Sequence, residues 1–275
     1  MANIELSILG QVIIHGGIFH ADDVFSVALL KTMGFGGDVV RTFKVTDEMR
    51  EAAENGTSII VDIGGEYSPE KGIFDHHQIG APTRATGGKY AAFGLLVREY
   101  ADQVWFADVD RIAEELDACD NGESPCVLSS IIHDLNPTWE SVSNGDAEFK
   151  GAVEMAENML RHVIEQAESK KRAANHVFSA PVQGGVLVLP RYAPWQDYVA
   201  ELDQEVKAVV WPSNRGGYNC QIRPVEPGSF ERVGDFSDEV KAGVEGCTFR
   251  HAAGFLAAFE TEEEAIQAGM GVILR

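Results

Sequence analysis

Gln11-Val-Ile-Ile-His15-Gly-Gly-Ile-Phe-His20-Ala-Asp22 reads as one strand, a glycine turn and the first turn of a helix. Gln11 to His15 is a short apolar strand, and Gly16-Gly17 is a turn signal. From Ala21 to Met33 the spacing of Val24, Val27, Ala28, Leu29 and Leu30 suits a helix packed on a sheet. Two further strand candidates follow, over residues 38–43 and 57–63. In the second, Ser58-Ile-Ile-Val-Asp62 is continuous and β-branched, as a buried parallel strand should be. Strands alternating with helices imply parallel βαβ units. In an open α/β sheet ligands bind beyond the carboxyl ends of the strands. His15 ends the first strand, His20 and Asp22 open the helix after it, and Asp62 holds the equivalent place on a later strand.

Further along the chain, Phe74-Asp75-His76-His77-Gln78 sets an acid before two adjacent histidines, available to orient a ring through its second nitrogen. Leu116-Asp117-Ala-Cys119-Asp120-Asn-Gly122 places two carboxylates three apart; alone, it reads as a helix terminus with a C-cap glycine. Histidines and carboxylates at equivalent strand ends converge on one crevice, which favours a metal site. Imidazole and carboxylate donors suit Mn²⁺, Fe²⁺, Co²⁺ or Zn²⁺ better than Mg²⁺. Two such ions about 3.5–4 Å apart can activate a water and stabilise the leaving oxygen of a phosphoryl centre.

The bulk properties bound the function. The chain has 275 residues, 45% hydrophobic and 24% charged, as a folded globular protein does. Lys and Arg number 22 against 43 Asp and Glu, a net charge of −21 that would repel long duplexes while leaving short phosphorylated ligands compatible. No apolar run is long enough for a membrane span, and Met1-Ala-Asn-Ile-Glu-Leu6 lacks a secretory pattern. Cys119, Cys126, Cys220 and Cys247 show neither zinc-site pairs nor disulfide density, so reduced thiols in the cytoplasm are expected. Helical patterns dominate from about Tyr90 to Lys171. Beyond Phe178 short strands take over, including Gly185 to Leu189 and Val206 to Trp211, and a last helix begins after Thr261.

The strings His15-Gly-Gly-Ile-Phe-His20-Ala-Asp22, Val61-Asp62-Ile-Gly-Gly65-Glu66-Tyr67 and Phe74-Asp75-His76-His77-Gln78 resemble the DHH phosphoesterase superfamily, most closely its melanocyte-proliferating-gene branch. Asp117 to Gly122, Pro227-Gly-Ser-Phe230 and Gly246-Cys-Thr-Phe-Arg-His251-Ala-Ala-Gly-Phe255 also match that branch, which has a eukaryotic member acting as a 3′-to-5′ RNA exonuclease. The resemblance implies an α/β fold: a DHH-like catalytic lobe over residues 1–178, with a mainly parallel sheet and a helical connector from about 146. A smaller α+β substrate-binding lobe follows over 179–275. It implies two divalent ions, Mn²⁺ first, with Fe²⁺, Co²⁺, Zn²⁺ and Mg²⁺ as alternatives. His15, His20 and Asp62 would hold one, and Asp22, Asp62, His76 and Asp120 the other. Asp75 would orient His76, and His77 would face the scissile phosphate. The wider superfamily has an aspartate where His20 stands here, which leaves less negative charge on the first ion.

Substrate contacts are expected from Arg41, Arg223, Arg250, His251 and Gly254, with Phe255 and Trp195 available for base stacking. The expected activity is hydrolysis of phosphodiester bonds by a two-metal-activated water, as a 3′-to-5′ exonuclease on short single-stranded RNA or DNA. A phosphatase or phosphodiesterase acting on a dinucleotide or pyrophosphate is the alternative, and a non-catalytic metal-binding protein is a third reading. No membrane partner is expected, and a homo-oligomer is left open.

Overall fold

A computed structural model describes residues 10–243 and 245–275, so the opening segment Met1 to Leu6 lies outside the described residues. The chain divides into two compact units, Met1–Glu168 and Ser169–Arg275.

The first unit runs β1 (Gln11–His15), α1 (Ala21–Thr32), β2 (Asp38–Thr42), α2 (Asp47–Glu54), β3 (Ser58–Val61), β4 (Tyr67–Ser68) and β5 (Ile73–Phe74). Helices α3 (Ala92–Arg98), α4 (Phe106–Asp120) and α5 (Val127–His133) follow, and then α6 (Asp146–Ser179), within which the division falls. Its sheet has the order β2-β1-β3-β5-β4, with β4 the antiparallel edge and the other pairs parallel. The central strands β1 and β3 read as apolar runs because both faces are covered. Val12, Ile14, Ile59, Val61 and Phe74 join the core that contains α1, α3 and α4 residues, while Ile13, Ile60 and Ile73 pack with Ala53 and Met49 of α2. Helix α1 is buried from Ala21 through Leu30, its acidic first turn included. Register does the positioning: Ile14 pairs with Val61 and Val61 with Phe74, so His15, Asp62 and Asp75 leave the sheet side by side.

The second unit holds β6 (Val182–Gln183), β7 (Val186–Val188), β8 (Ala208–Pro212), β9 (Tyr218–Ile222), β10 (Gly234–Asp235), α7 (Asp238–Ala242), β11 (Cys247–Arg250), β12 (Leu256–Phe259), α8 (Glu262–Met270) and β13 (Ile273–Leu274). A six-stranded sheet has the order β11-β12-β9-β8-β7-β6, antiparallel except for β7 and β8. Thr261 caps α8 reciprocally: its hydroxyl accepts from Glu264 N, and its own N–H donates to the Glu264 carboxylate. Trp195, expected as a stacking platform, is instead 1% exposed and packs with Leu187, Leu189 and Val209. A large ring facing a β-branched sheet is worth more buried than held in water. All four cysteines are free thiols, and no helix among the described residues is long and apolar enough to cross a membrane.

Candidate metal centre

At the carboxyl edge of the first unit's sheet, Asp62 follows β3 with φ 55, the only non-glycine residue in the left-handed region among those described. Such a backbone costs on the order of 1–3 kcal/mol, least for Asp and Asn, and persists where its surroundings enforce it. Here the Asp62 N–H donates to Phe74 O at 3.0 Å, and the carboxylate turns inward between two imidazoles. Asp62 Oδ2 lies 3.2 Å from His15 Nε2, and Oδ1 lies 3.3 Å from His76 Nε2. His76 Nε2 is also 3.2 Å from Asp120 Oδ2, at the last residue of α4, and 4.0 Å from Asp22 Oδ2.

Asp22 is 1% exposed, and neither of its oxygens has a hydrogen-bond partner among the described residues. Asp62 Oδ1 and the Nε2 atoms of His15 and His76 also lack a well-aligned partner despite their close neighbours. Donor atoms that crowd together without aiming at one another form the kind of clusters that hold cations. A bare buried carboxylate is too costly to leave uncompensated. Burial, and then the neighbouring carboxylates of Asp62, Asp120 and Asp23, hold the Asp22 carboxyl well above its usual range. Burial works against protonation of the imidazoles, but Asp23 and Asp62 push His15 up to about 11, and Asp120 and Asp62 push His76 up to about 10. Against the same burial, His15 and His76 draw Asp62 down to about 2. Protons and divalent cations would compete for this pocket, and the donor set fits the cation.

The grouping differs from the expected ligand sets. His15 meets Asp23 (2.7 Å from Nε2 to Oδ2) and Asp62, while His20 groups with Asp22 and Asp120. Asp23 escaped the sequence reading; its only signal is its place beside Asp22 in the first turn of α1, where its carboxylate also accepts from His20 N. A second difference concerns Asp75, which was expected to orient His76. Instead its Oδ1 lies 2.7 Å from His77 Nδ1 and accepts from His77 N, while Oδ2 accepts from Gly65 N. A carboxylate tied to the backbone two residues ahead reaches the ring at that position, whereas His76 turns in toward Asp62. The His77 side chain is 61% exposed. Asn136, also unforeseen, grips Phe19 by accepting from its N–H and donating to its carbonyl, fixing the backbone just before His20.

The basic candidates have partners of their own. Arg41 was expected to meet a substrate phosphate, but its side chain is only 5% exposed. It donates to Asp146, Asn144 O and Gly17 O and lies over the Phe149 ring. A guanidinium so engaged anchors the Gly16–Gly17 loop to the start of α6. In the second unit, Arg223 Nε donates to Val206 O and Arg250 to Lys241 O. His251 is exposed, accepts from Ala253 N and packs against Phe255 with ring centres 4.4 Å apart and planes tilted by 47°. Gly254, at φ 70, closes that turn, and a cavity of about 680 Å³ is lined by Arg250, His251, Gly254, Arg232 and Lys241.

A family model described as an uncharacterised protein family (UPF0160), MYG1_exonuc, matches residues 11–111 and 107–270. Among curated proteins, the chain is similar to a MYG1 exonuclease of Mus musculus, 26% identical over 92% of this chain and 82% of that one. It is also similar to a MYG1 protein of Dictyostelium discoideum, 24% identical over 92% and 93%. Among solved structures, it is similar to a pGpG-specific phosphodiesterase of Vibrio cholerae at 14% identity, over 94% of this chain and 95% of that one, with a TM-score of 0.33.

Proposed function

This chain belongs to the UPF0160 (MYG1_exonuc) family, and from that premise we propose that it is a divalent-metal-dependent phosphodiesterase, acting as a 3′-to-5′ exonuclease on short RNA or DNA. The observation that carries the reading is the buried Asp22 carboxylate, with both oxygens unpaired beside Asp62, Asp120 and His76. Relatives named exonucleases, in mouse and in human, match 92% of the chain and support the reaction class. His15, Asp23 and Asp62 would hold one ion; Asp22, Asp62, His76 and Asp120, with His20 beside Asp22 and Asp120, would hold the second. Such a pair supplies activation of a water and neutralisation of charge developing at phosphorus.

The remaining work falls to the chain itself. Asp75 raises the proton affinity of His77 and fixes its Nδ1, leaving Nε2 as the ring's free nitrogen. In that role His77 donates a hydrogen bond to a phosphate oxygen as charge builds there. Asp75, held by Gly65 N and His77 N, keeps the ring in that orientation.

A second reading, a phosphodiesterase for dinucleotide-sized substrates, is favoured by the cavity of about 500 Å³ beside the centre. His20, Asp120, Ser129, His133 and Asp134 contribute to its lining, and among the described residues neither Lys nor Arg does. The deciding experiment is hydrolysis with Mn²⁺ of a short oligoribonucleotide, a dinucleotide and a simple phosphodiester. Mononucleotide release that is faster from the oligomer supports the exonuclease. Preference for the dinucleotide supports the second reading, and inactivity on all three leaves a non-catalytic metal protein.

A further inference from the structure

Parallel pairing of His15 with Thr42 sets the next residue of the β2 strand line, Phe43, beside the Gly16–Gly17 turn that follows His15. The Thr42 hydroxyl donates to Lys44 O and accepts from Lys44 N, a local clamp that turns Phe43 outward. The ring is 85% exposed, and only its outer edge rests on the loop: a Cβ built on Gly16 would stand 3.3 Å from Phe43 Cζ. Glycine at both positions lets the ring lie close, and Gly17, at φ 92, adopts a backbone that side chains disfavour. The loop beneath is held by Arg41 at Gly17 O. Ile18, 60% exposed, lies in that same loop after β1, and Ile79, 106% exposed, lies in the loop after β5 at the same carboxyl edge.

Single exposed apolar residues are ordinary on a protein surface. Phe43 differs in its place, adjoining the loop of a candidate ligand, and in being fixed outward by a hydroxyl clamp over a glycine support. An apolar ring against the loop that follows a candidate ligand suits a ligand that carries a phosphate at one end and a flat, apolar-faced group at the other. We propose that Phe43 is the stacking platform for a nucleobase of the substrate. The inference rests on the phosphodiesterase reading for its location but is tested apart from it. Stacking asks nothing of the base edge, so the platform accepts every base.

The test is calorimetric binding of AMP and of ribose 5-phosphate to the Mn²⁺-loaded protein, for the wild type, Phe43→Ala and Phe43→Tyr. The expected result is AMP bound about tenfold more tightly than ribose 5-phosphate by the wild type, a preference lost in Phe43→Ala and kept in Phe43→Tyr. Equal affinities in the wild type, or a preference that survives Phe43→Ala, overturn the proposal. Hydrolysis is measured in parallel as the ratio of kcat/KM for a dinucleotide to that for its abasic analogue. Activity without base preference leaves the phosphodiesterase reading standing and removes Phe43 from it. Base preference without activity does the reverse.

Discussion

Asp62 carries more of the candidate centre than any other single residue, because its left-handed backbone places one carboxylate between His15 and His76. Asn shares the tolerance of Asp for that backbone, so Asp62→Asn removes the charge without adding strain. The variant should stay folded and lose far more activity than the roughly 10- to 100-fold that outer partners cost. Full turnover in a well-folded Asp62→Asn protein would remove Asp62 from both ligand sets. The histidines make a second prediction. His15 and His76 hold protons up to about 11 and about 10 in the metal-free chain, and ligating imidazoles must be neutral. Metal binding should therefore release protons, and apparent affinity should rise with pH across the neutral range. Titrations in buffers of different ionisation enthalpy read that release directly; a pH-independent affinity would place the metal elsewhere.

Among the elements, α4 must hold Asp120 at the edge of the centre, and a buried ion pair does the holding. Arg84, in the segment after β5, donates through Nε and Nη2 to Asp117 Oδ2 and through Nη1 to Asp110, while Asp117 Oδ1 accepts from Gly94 N of α3. Burial pushes the Asp117 carboxyl up to about 6 against the pull of Arg84, so the pair is under tension from desolvation. Arg84→Ala should strand that carboxylate and cost about 3–5 kcal/mol, seen as a lower urea midpoint. An unchanged midpoint would mean that water or another group relieves Asp117. Asp117 and Asp120 looked alike in the sequence, two acids near a helix end. One turn of α4 sends Asp117 toward α3 and Asp120 toward His76. Strand β5 was likewise invisible, since two residues show no period; it exists because β3 and β4 flank it, and it delivers the pair of histidines.

For the whole molecule, the net charge of −21 sets the terms on which any nucleic acid approaches. Repulsion between like charges weakens as salt shortens the screening length to about 8 Å at physiological ionic strength. The kcat/KM for an oligonucleotide should accordingly rise with added KCl, opposite to the fall seen when Lys and Arg neutralise phosphates. A falling rate would point to a basic surface that engages the strand. The βαβ order, the strand-end position of His15 and Asp62 and the capped last helix were legible in the sequence because each follows from local periodicity or an adjacent cap. The pattern could not say that Trp195 is core, that Arg41 anchors a loop or that Asp75 serves His77. Nor could it set Asp23 under His15 or Phe43 against Gly16. Residue type and spacing determine which chemistry a chain can assemble. Which partner each side chain takes depends on strand register and burial, and those are decided only when distant segments pack.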